Sequence, residues 1–550
     1  GQIKAQEGGL VMEAGGTLQN QKNASIVSQS EAQVTASSLS NDAAVQASKL
    51  SIQTTGDATN SGRITAGTAG LQMQIGGALY NDKGGAIFSQ TAAQLNAMTL
   101  TNAGDIITTD KTTLHAQEVT NTGVMRSESA LEISQVQKLD NSGTLAAQLI
   151  TLQAATTQNS GSIEATGLTD HGGTIRLSAS DRISHTGSIN ADAQANSTGN
   201  GGTVILMGDL ANKDSVTQVN GRISARGGDL GGDGGFVATS AGTLKIGSAT
   251  RVDTRAPQGK GGQWLLDPAN FTIGIGGDMT GADLSAQLAT TGVTIQTDAT
   301  GNTAQEGSIY VNDAVSWNAV TMLKLDAHHS IYINQPVDVL NANARLEMYY
   351  GNASNPINAN SRLQINAPIN MLPTASLRIG NYANVSDYTI VNNLDDLRNA
   401  IRSNQNANIA LGNNLDETNP QTGNAITPLS GFGTSFTGQF EGLGHTISNI
   451  SLTYPGVGDI GLFGRLDGAG AIRNITIDNA QVAGLNNVGV LVGRAGGDYQ
   501  AGLTTIYNSH VVNSAVTASD TALGNDANVG GLVGNAWGGL IDSSSARSVT

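Results

Sequence analysis

The chain contains no cysteine in 550 residues. That excludes a disulfide framework, a thiol nucleophile and any cysteine-ligated zinc or iron–sulfur centre. Aromatic residues make up 4% and charged residues 13%, the latter about half the usual share. Proline is scarce at 9, and no apolar run reaches the roughly 18 residues of a membrane-spanning helix. Cations do not cluster: 27 Lys and Arg are spread among 43 Asp and Glu, for a net charge of −16, which argues against nucleic acid as a partner. No basic segment followed by an apolar one opens the chain, and Gly1 already lies within a repeat, so the sequence reads as a piece of a longer protein. Glycine, by contrast, is abundant at 71, and Ser, Thr, Asn, Gln and Ala fill much of the rest. Hydrophobic residues at 38% exceed what a disordered polar tract carries, so a core built from small aliphatic side chains is expected.

Repetition organises the first 160 residues. Asn recurs at Asn20, Asn41, Asn60, Asn81, Asn102, Asn121, Asn141 and Asn159, at intervals of 18 to 21. An aliphatic residue usually stands two places before it, as at Leu39, Leu79, Leu100, Val119 and Leu139. Another apolar residue follows four places after, as at Val45, Ile64, Ile106, Met125, Leu145 and Ile163. Leu-x-Asn-x-Gly-x-Ile reads as strand, tight turn, strand, because Asn and Gly tolerate left-handed backbone and Asn bonds its own chain. Alternation of apolar residues with Ser, Thr and Gln marks strands with one buried face. About 20 residues is too short for a helix-bearing repeat and fits one coil of a β-solenoid, with Asn stacking into an amide ladder.

Four segments follow from changes in pattern. Residues 1–166 hold the 20-residue repeats; 167–268 is Gly-dense and ends at Trp264-Leu265-Leu266-Asp267-Pro268; 269–384 alternates irregularly with longer loops and no assignable register; 385–550 holds a second repeat family. That family shows in Ile460-Gly461-Leu462-Phe463-Gly464, Gly489-Val490-Leu491-Val492-Gly493 and Gly530-Gly531-Leu532-Val533-Gly534. One helix is expected, at 393–402, capped by Asn393, with Asp395 and Asp396 in its first turn and Leu394, Leu397 and Ile401 on one face.

These motifs resemble known families. The Asn repeats resemble those of filamentous haemagglutinin. The 167–268 segment, with Gly221-Arg222-Ile223-Ser224-Ala225-Arg226-Gly227-Gly228, looks like the high-molecular-weight adhesins of two-partner secretion, and the last segment is similar to GLUG-motif repeats of bacterial surface proteins. The resemblance implies an all-β, right-handed parallel β-helix forming an elongated rod. It implies export through an outer-membrane two-partner secretion pore and residence on the exterior of a Gram-negative bacterium. The amino-terminal module that such a pore recognises has no counterpart in this sequence. The absence of cysteine agrees with passage through a pore, since no periplasmic disulfide can trap the chain.

Little in the sequence points to catalysis. β-Helices do host polysaccharide lyases and hydrolases, whose chemistry needs clustered carboxylates. The acid pairs are Asp395-Asp396, read as a helix start, and Asp416-Glu417, in a turn-like stretch. His328-His329 are neighbours on a strand and so point to opposite faces, unsuited to one metal. His445, in a Gly-His-Thr-Ile strand entry, reads as structural, and Asp229 and Asp233 lack the spacing of calcium-binding nonapeptides. No phosphate-binding loop, zinc-protease helix or nucleophile elbow occurs. No catalytic, cofactor or metal residue is therefore expected. The reading is a non-enzymatic adhesin that attaches to host-cell or bacterial surface receptors or glycans. The alternatives are the rigid shaft of a contact-dependent toxin-delivery protein and, with less support, a carbohydrate-active β-helix enzyme.

Overall fold

The computed structural model is nearly all β and describes residues 1–166, 170–298, 306–351, 360–381, 384–417, 427–430, 434–497, 503–519 and 527–550. The chain forms two compact units. One comprises Gly1–Phe271, Gly276–Met279 and Thr290–Glu306; the other comprises Thr272–Ile275, Thr280–Ala289 and Gly307–Thr550.

In the first unit each repeat contributes to three parallel ladders. The first stacks Ile26, Val45, Ile64, Ile87, Ile106, Met125, Leu145 and Ile163 in register. The second stacks Val34, Ile52, Met73, Leu95, Leu114, Ile133 and Leu152. The third stacks Leu39, Ala58, Leu79, Leu100, Val119 and Leu139. All of these side chains are buried, while their outward neighbours are mainly Ser, Thr, Gln and charged residues. A slip of one residue would turn every inward side chain to water, so the alternation pins the register. The expected 167 boundary falls on residues outside those described, and the ladders continue beyond it: Ile163 faces Ile189, and Leu152 faces Leu177.

Asparagine closes each repeat. Beyond the third ladder, each Asn side-chain amide donates to the next Asn carbonyl oxygen from Asn20 to Asn159, at 2.7–2.8 Å throughout. The amide N–H groups of Ser142 and Gly143 both turn back onto the Asn121 carbonyl. Glycine follows because the turns nearly touch. A Cβ on Gly104, Gly123, Gly143, Gly161 or Gly187 would lie 2.1 Å from the carbonyl oxygen of the glycine one repeat earlier. A second such column, Gly173, Gly202, Gly235 and Gly262, accounts for much of the glycine density after residue 170. Trp264 fills the core there, fully buried, with Nε1 donating to Thr239 Oγ1 at 3.1 Å.

The second unit gives the irregular segment a register. Ile309–Val311, Ile331–Ile333 and Leu363–Ile365 form one parallel ladder, Val315–Trp317, Val337–Val339 and Ile369–Met371 a second, and Met322–Ala327, Arg345–Tyr350 and Ser376–Asn381 a third. The strand Asn384–Val391 then turns back antiparallel on Ser376–Asn381. It continues in parallel into Asn408–Leu411, Gln439–Glu441, Ala471–Arg473, Thr505–Tyr507 and Leu540–Asp542. Around this ladder the second repeat family buries Phe436, Phe440 and Phe463, whose ring centroids lie 5.2–5.4 Å apart at Phe463.

Among the described residues two helices are present, where the sequence leads one to expect one. The helix α1, Gly281–Leu288, is capped by Thr280, whose Oγ1 accepts the Asp283 N–H at 3.1 Å, and it buries Leu284 and Leu288. Its eight residues carry only two apolar contacts on the buried face, too weak a period to register against the strand pattern around it. The helix α2, Leu394–Ser403, is the expected one. Asn393 and Asp396 cap it reciprocally, with Asn393 Oδ1 accepting the Asp396 N–H and Nδ2 donating to Asp396 Oδ2, both at 2.8 Å.

Candidate functional site

The residues singled out by sequence fall into structural places. Asp396 caps α2, and Asp395 pairs with Arg398 at 2.5 Å. Asp416 accepts the Asn449 amide at 2.7 Å. Burial, reinforced by the negative charge of Asp395, raises the carboxyl pKa of Glu417. His329 Nδ1 meets Ser330 Oγ at 2.9 Å. His445 is fully buried, with Nε2 on the Ile369 carbonyl at 2.8 Å and Nδ1 on Asn414 Oδ1 at 3.2 Å, and burial lowers its pKa. Asp229 is exposed, while Asp233 accepts the Lys260 N–H at 2.8 Å, which pins one Gly-rich loop to the next. Among the described residues no three His, Asp or Glu side chains converge as a metal site would require.

A cavity in the second unit is built differently. It has a volume of about 420 Å³ and lies between the strand pair Ser376–Asn381 and Asn384–Val391 and the strands Gln439–Glu441 and Ala471–Arg473. Its wall carries Tyr350, Tyr388, Gln439, Glu441, Arg473 and Ser386 beside the apolar Leu363 and Ile379. Glu441 comes to the wall because its neighbour Phe440 takes the core position, and alternation turns the carboxylate to the other face. That face is covered as well, leaving Glu441 only 2% exposed. Oε1 accepts the Asn474 side-chain amide at 2.8 Å and the Leu443 N–H at 3.1 Å. Burial raises the Glu441 carboxyl to about 7, against partial relief from Asn474, Arg473 and the Leu443 amide. Burial also raises the hydroxyl pKa values of Tyr350 and Tyr388. Arg473 lies one register step from Glu441 and donates to Gln439 Oε1 at 2.7 Å.

None of these cavity residues stands out in the sequence. Two signals point toward them: the Phe440-Glu441-Gly442 step, which begins the Asn474–Asn508 column with an acid, and the Tyr349-Tyr350 pair in a chain poor in aromatics. As chemistry, the cavity offers one buried acid, one guanidinium, two phenols and the amides of Asn381, Asn384 and Gln439, a set suited to orienting a polar ligand.

The fold and this site define a nearly all-β protein of parallel-paired repeats with a polar cavity in its second unit. No family model matches the chain, and no solved structure matches it. It is similar to Halomucin of Haloquadratum walsbyi, at 43% identity over 100 residues, 18% of this chain and 1% of that protein. It is also similar to Deoxyribonuclease CdiA of Dickeya dadantii, at 34% identity over 140 residues, 25% of this chain and 4% of that protein. The chain thus matches only a small fraction of the length of either curated relative.

Proposed function

We propose that the chain is a section of a right-handed parallel β-helix on the exterior of a Gram-negative bacterium. It is exported through an outer-membrane two-partner secretion pore and acts as a non-enzymatic adhesin toward host-cell or bacterial surface receptors or glycans. The observation that carries this reading is the in-register stacking of three parallel ladders at roughly 20-residue spacing, with polar side chains outward along each face. Such stacking yields long flat surfaces on which many shallow contacts add by avidity. The similarity to Deoxyribonuclease CdiA favours a second reading, the shaft of a toxin-delivery protein, in which these repeats supply reach.

The test is attachment. Beads coated with the purified chain are offered to host epithelial cells, to Gram-negative bacteria and to a glycan array, with albumin-coated beads as control. Saturable attachment that soluble chain competes away supports the adhesin; beads that bind no better than albumin on all three surfaces rule it out and leave the shaft.

A further inference from the structure

We propose that the cavity walled by Tyr350, Tyr388, Glu441 and Arg473 binds a neutral polyhydroxylated molecule the size of a single sugar ring. This goes beyond the surface-protein reading, since stacked repeats that only span distance need no such pocket, and failure of the pocket to bind leaves that reading intact.

Three observations meet here. The first is size: a volume of about 420 Å³ falls within the roughly 300–1,000 Å³ typical of small-molecule sites. The second is the division of the wall. Leu363, Ile379 and the two tyrosine rings form an apolar part, and Gln439, Glu441, Arg473 and Ser386 a polar part. A sugar ring has the same division, with a C–H face that lies on aromatic or aliphatic surface and a rim of hydroxyls. The third is unused hydrogen-bonding capacity. Both internal bonds of Glu441 fall on Oε1, which leaves Oε2 without a partner among the described residues. The Tyr350 and Tyr388 hydroxyls likewise have none, and both side chains are part-buried in the cavity wall. Arg473 spends one N–H on Gln439 and makes no ion pair among the described residues. Polar groups that line a cavity without protein partners are open to a ligand that bonds them in place of water.

A hydroxyl both donates and accepts, so a polyol can serve a carboxylate oxygen, a guanidinium and two phenols at once. A simple anion cannot: it would meet Arg473 favourably but would face Glu441 across the same small space. The closely set acid and cation therefore favour the neutral ligand.

The experiment titrates the whole chain separately with D-galactose, D-mannose, N-acetyl-D-glucosamine and sodium phosphate, using saturation-transfer NMR and calorimetry. At least one sugar is expected to bind saturably. Tyr388→Phe, which removes only a hydroxyl, should weaken that binding roughly five-fold, the worth of one hydrogen bond. Arg473→Gln should weaken it roughly ten-fold or more, as loss of a charged donor does. Lys213→Gln, exposed in the other unit, should leave it unchanged. Thermal melts check that each variant is folded, and Tyr388→Phe decides the matter if Arg473→Gln is not. No saturable binding of any of the three sugars, binding of phosphate alone, or sugar binding that survives Tyr388→Phe at full strength would each overturn the proposal.

Discussion

At the scale of the residue, the Asn column shows how one side chain can be strong in the middle of an array and ordinary at its margin. Asn102 accepts from Asn81 at 2.7 Å and donates to Asn121 at 2.8 Å, and all three are buried. Asn102→Ala removes both column bonds and a third, from Asn102 Nδ2 to the Val124 carbonyl at 3.2 Å, and leaves one N–H of Asn81 and the Asn121 oxygen unmet, for an expected loss of about 3 kcal/mol. Asn20→Ala takes a donor from the Asn41 oxygen and from the Ala44 carbonyl but leaves no donor unmet, and it should cost about half as much, the two being compared by urea denaturation. After Asn159 the column passes to His185, whose Nδ1 meets the Asn159 amide at 3.0 Å and whose Nε2 meets the Arg222 carbonyl at 3.1 Å. With Asn159 donating, Nδ1 accepts and Nε2–H donates, which is the neutral imidazole. Burial lowers the His185 pKa below its ordinary 6.5, so its stabilisation is full above 6.5 and is lost as pH falls through the folded value. His185→Asn extends the amide column and should remove that acid sensitivity. Glu441 works in the opposite sense. Its carboxyl rises from 4.5 to about 7 on folding, so its contribution is intact below 4.5 and is lost as pH rises through 7. The total approaches ~3 kcal/mol at 1.36 kcal/mol per unit. Stability measured from pH 4.5 to 8 should therefore fall less steeply in Glu441→Gln than in the parent chain.

At the scale of the element, glycine marks where successive turns meet rather than where the chain is loose. The two glycine columns are contacts between backbones, and a carbonyl of the repeat before cannot swing aside without breaking the ladder it serves. Thr144 N–H, for example, is bonded to the Gly123 carbonyl at 2.9 Å. Gly143→Ala puts a methyl 2.1 Å from that same oxygen and should cost more than about 2 kcal/mol. Gly261→Ala, in the Gly-dense stretch but with nothing within 4 Å of the new carbon, should leave the denaturation midpoint unchanged. The helices obey the same local logic. The reciprocal cap Asn393–Asp396 and the buried Leu394, Leu397 and Ile401 made α2 legible. α1 has an equally good cap in Thr280-x-x-Asp283, a signal that a search for caps, rather than for periodicity, would have found.

At the scale of the whole molecule, stability is a sum over neighbouring repeats, because a residue's partners in the ladders lie mostly one repeat away. A defect should then act locally. With Ile64→Ala, which empties a fully buried position of the first ladder, hydrogen exchange is expected to quicken in the strands Ala44–Thr54 and Ala86–Ser89 that flank it in register. Protection should recover within the next few repeats; uniform loss across the first unit would show instead that it unfolds as a single block.

The same one-dimensional character decides what could be read from sequence. Contacts between residue i and a residue about 20 further on repeat down the chain, so the Leu39-x-Asn41 and Val45 positions announce the ladders, the amide column and the buried face together. Even the segment read as irregular carried its register in plain form, in Ile309-Tyr310-Val311-Asn312, Ile331-Tyr332-Ile333-Asn334 and Leu363-Gln364-Ile365-Asn366. Varying loop lengths between the strands hid it: the ladder steps by 22 residues and then by 32. The cavity was beyond such reading. Glu441 and Arg473 are neighbours in one parallel ladder, but Tyr350 and Tyr388 join them from two other strands, because Asn384–Val391 folds back antiparallel on its predecessor. A single reversal leaves no period in the sequence. Periodic composition thus determined the strands, their inward faces and the Asn and Gly columns, since each is a contact between equivalent positions. Only tertiary structure decided which outward-facing acid, arginine and tyrosines would be covered and turned toward one another, because that depends on where the ladder changes direction.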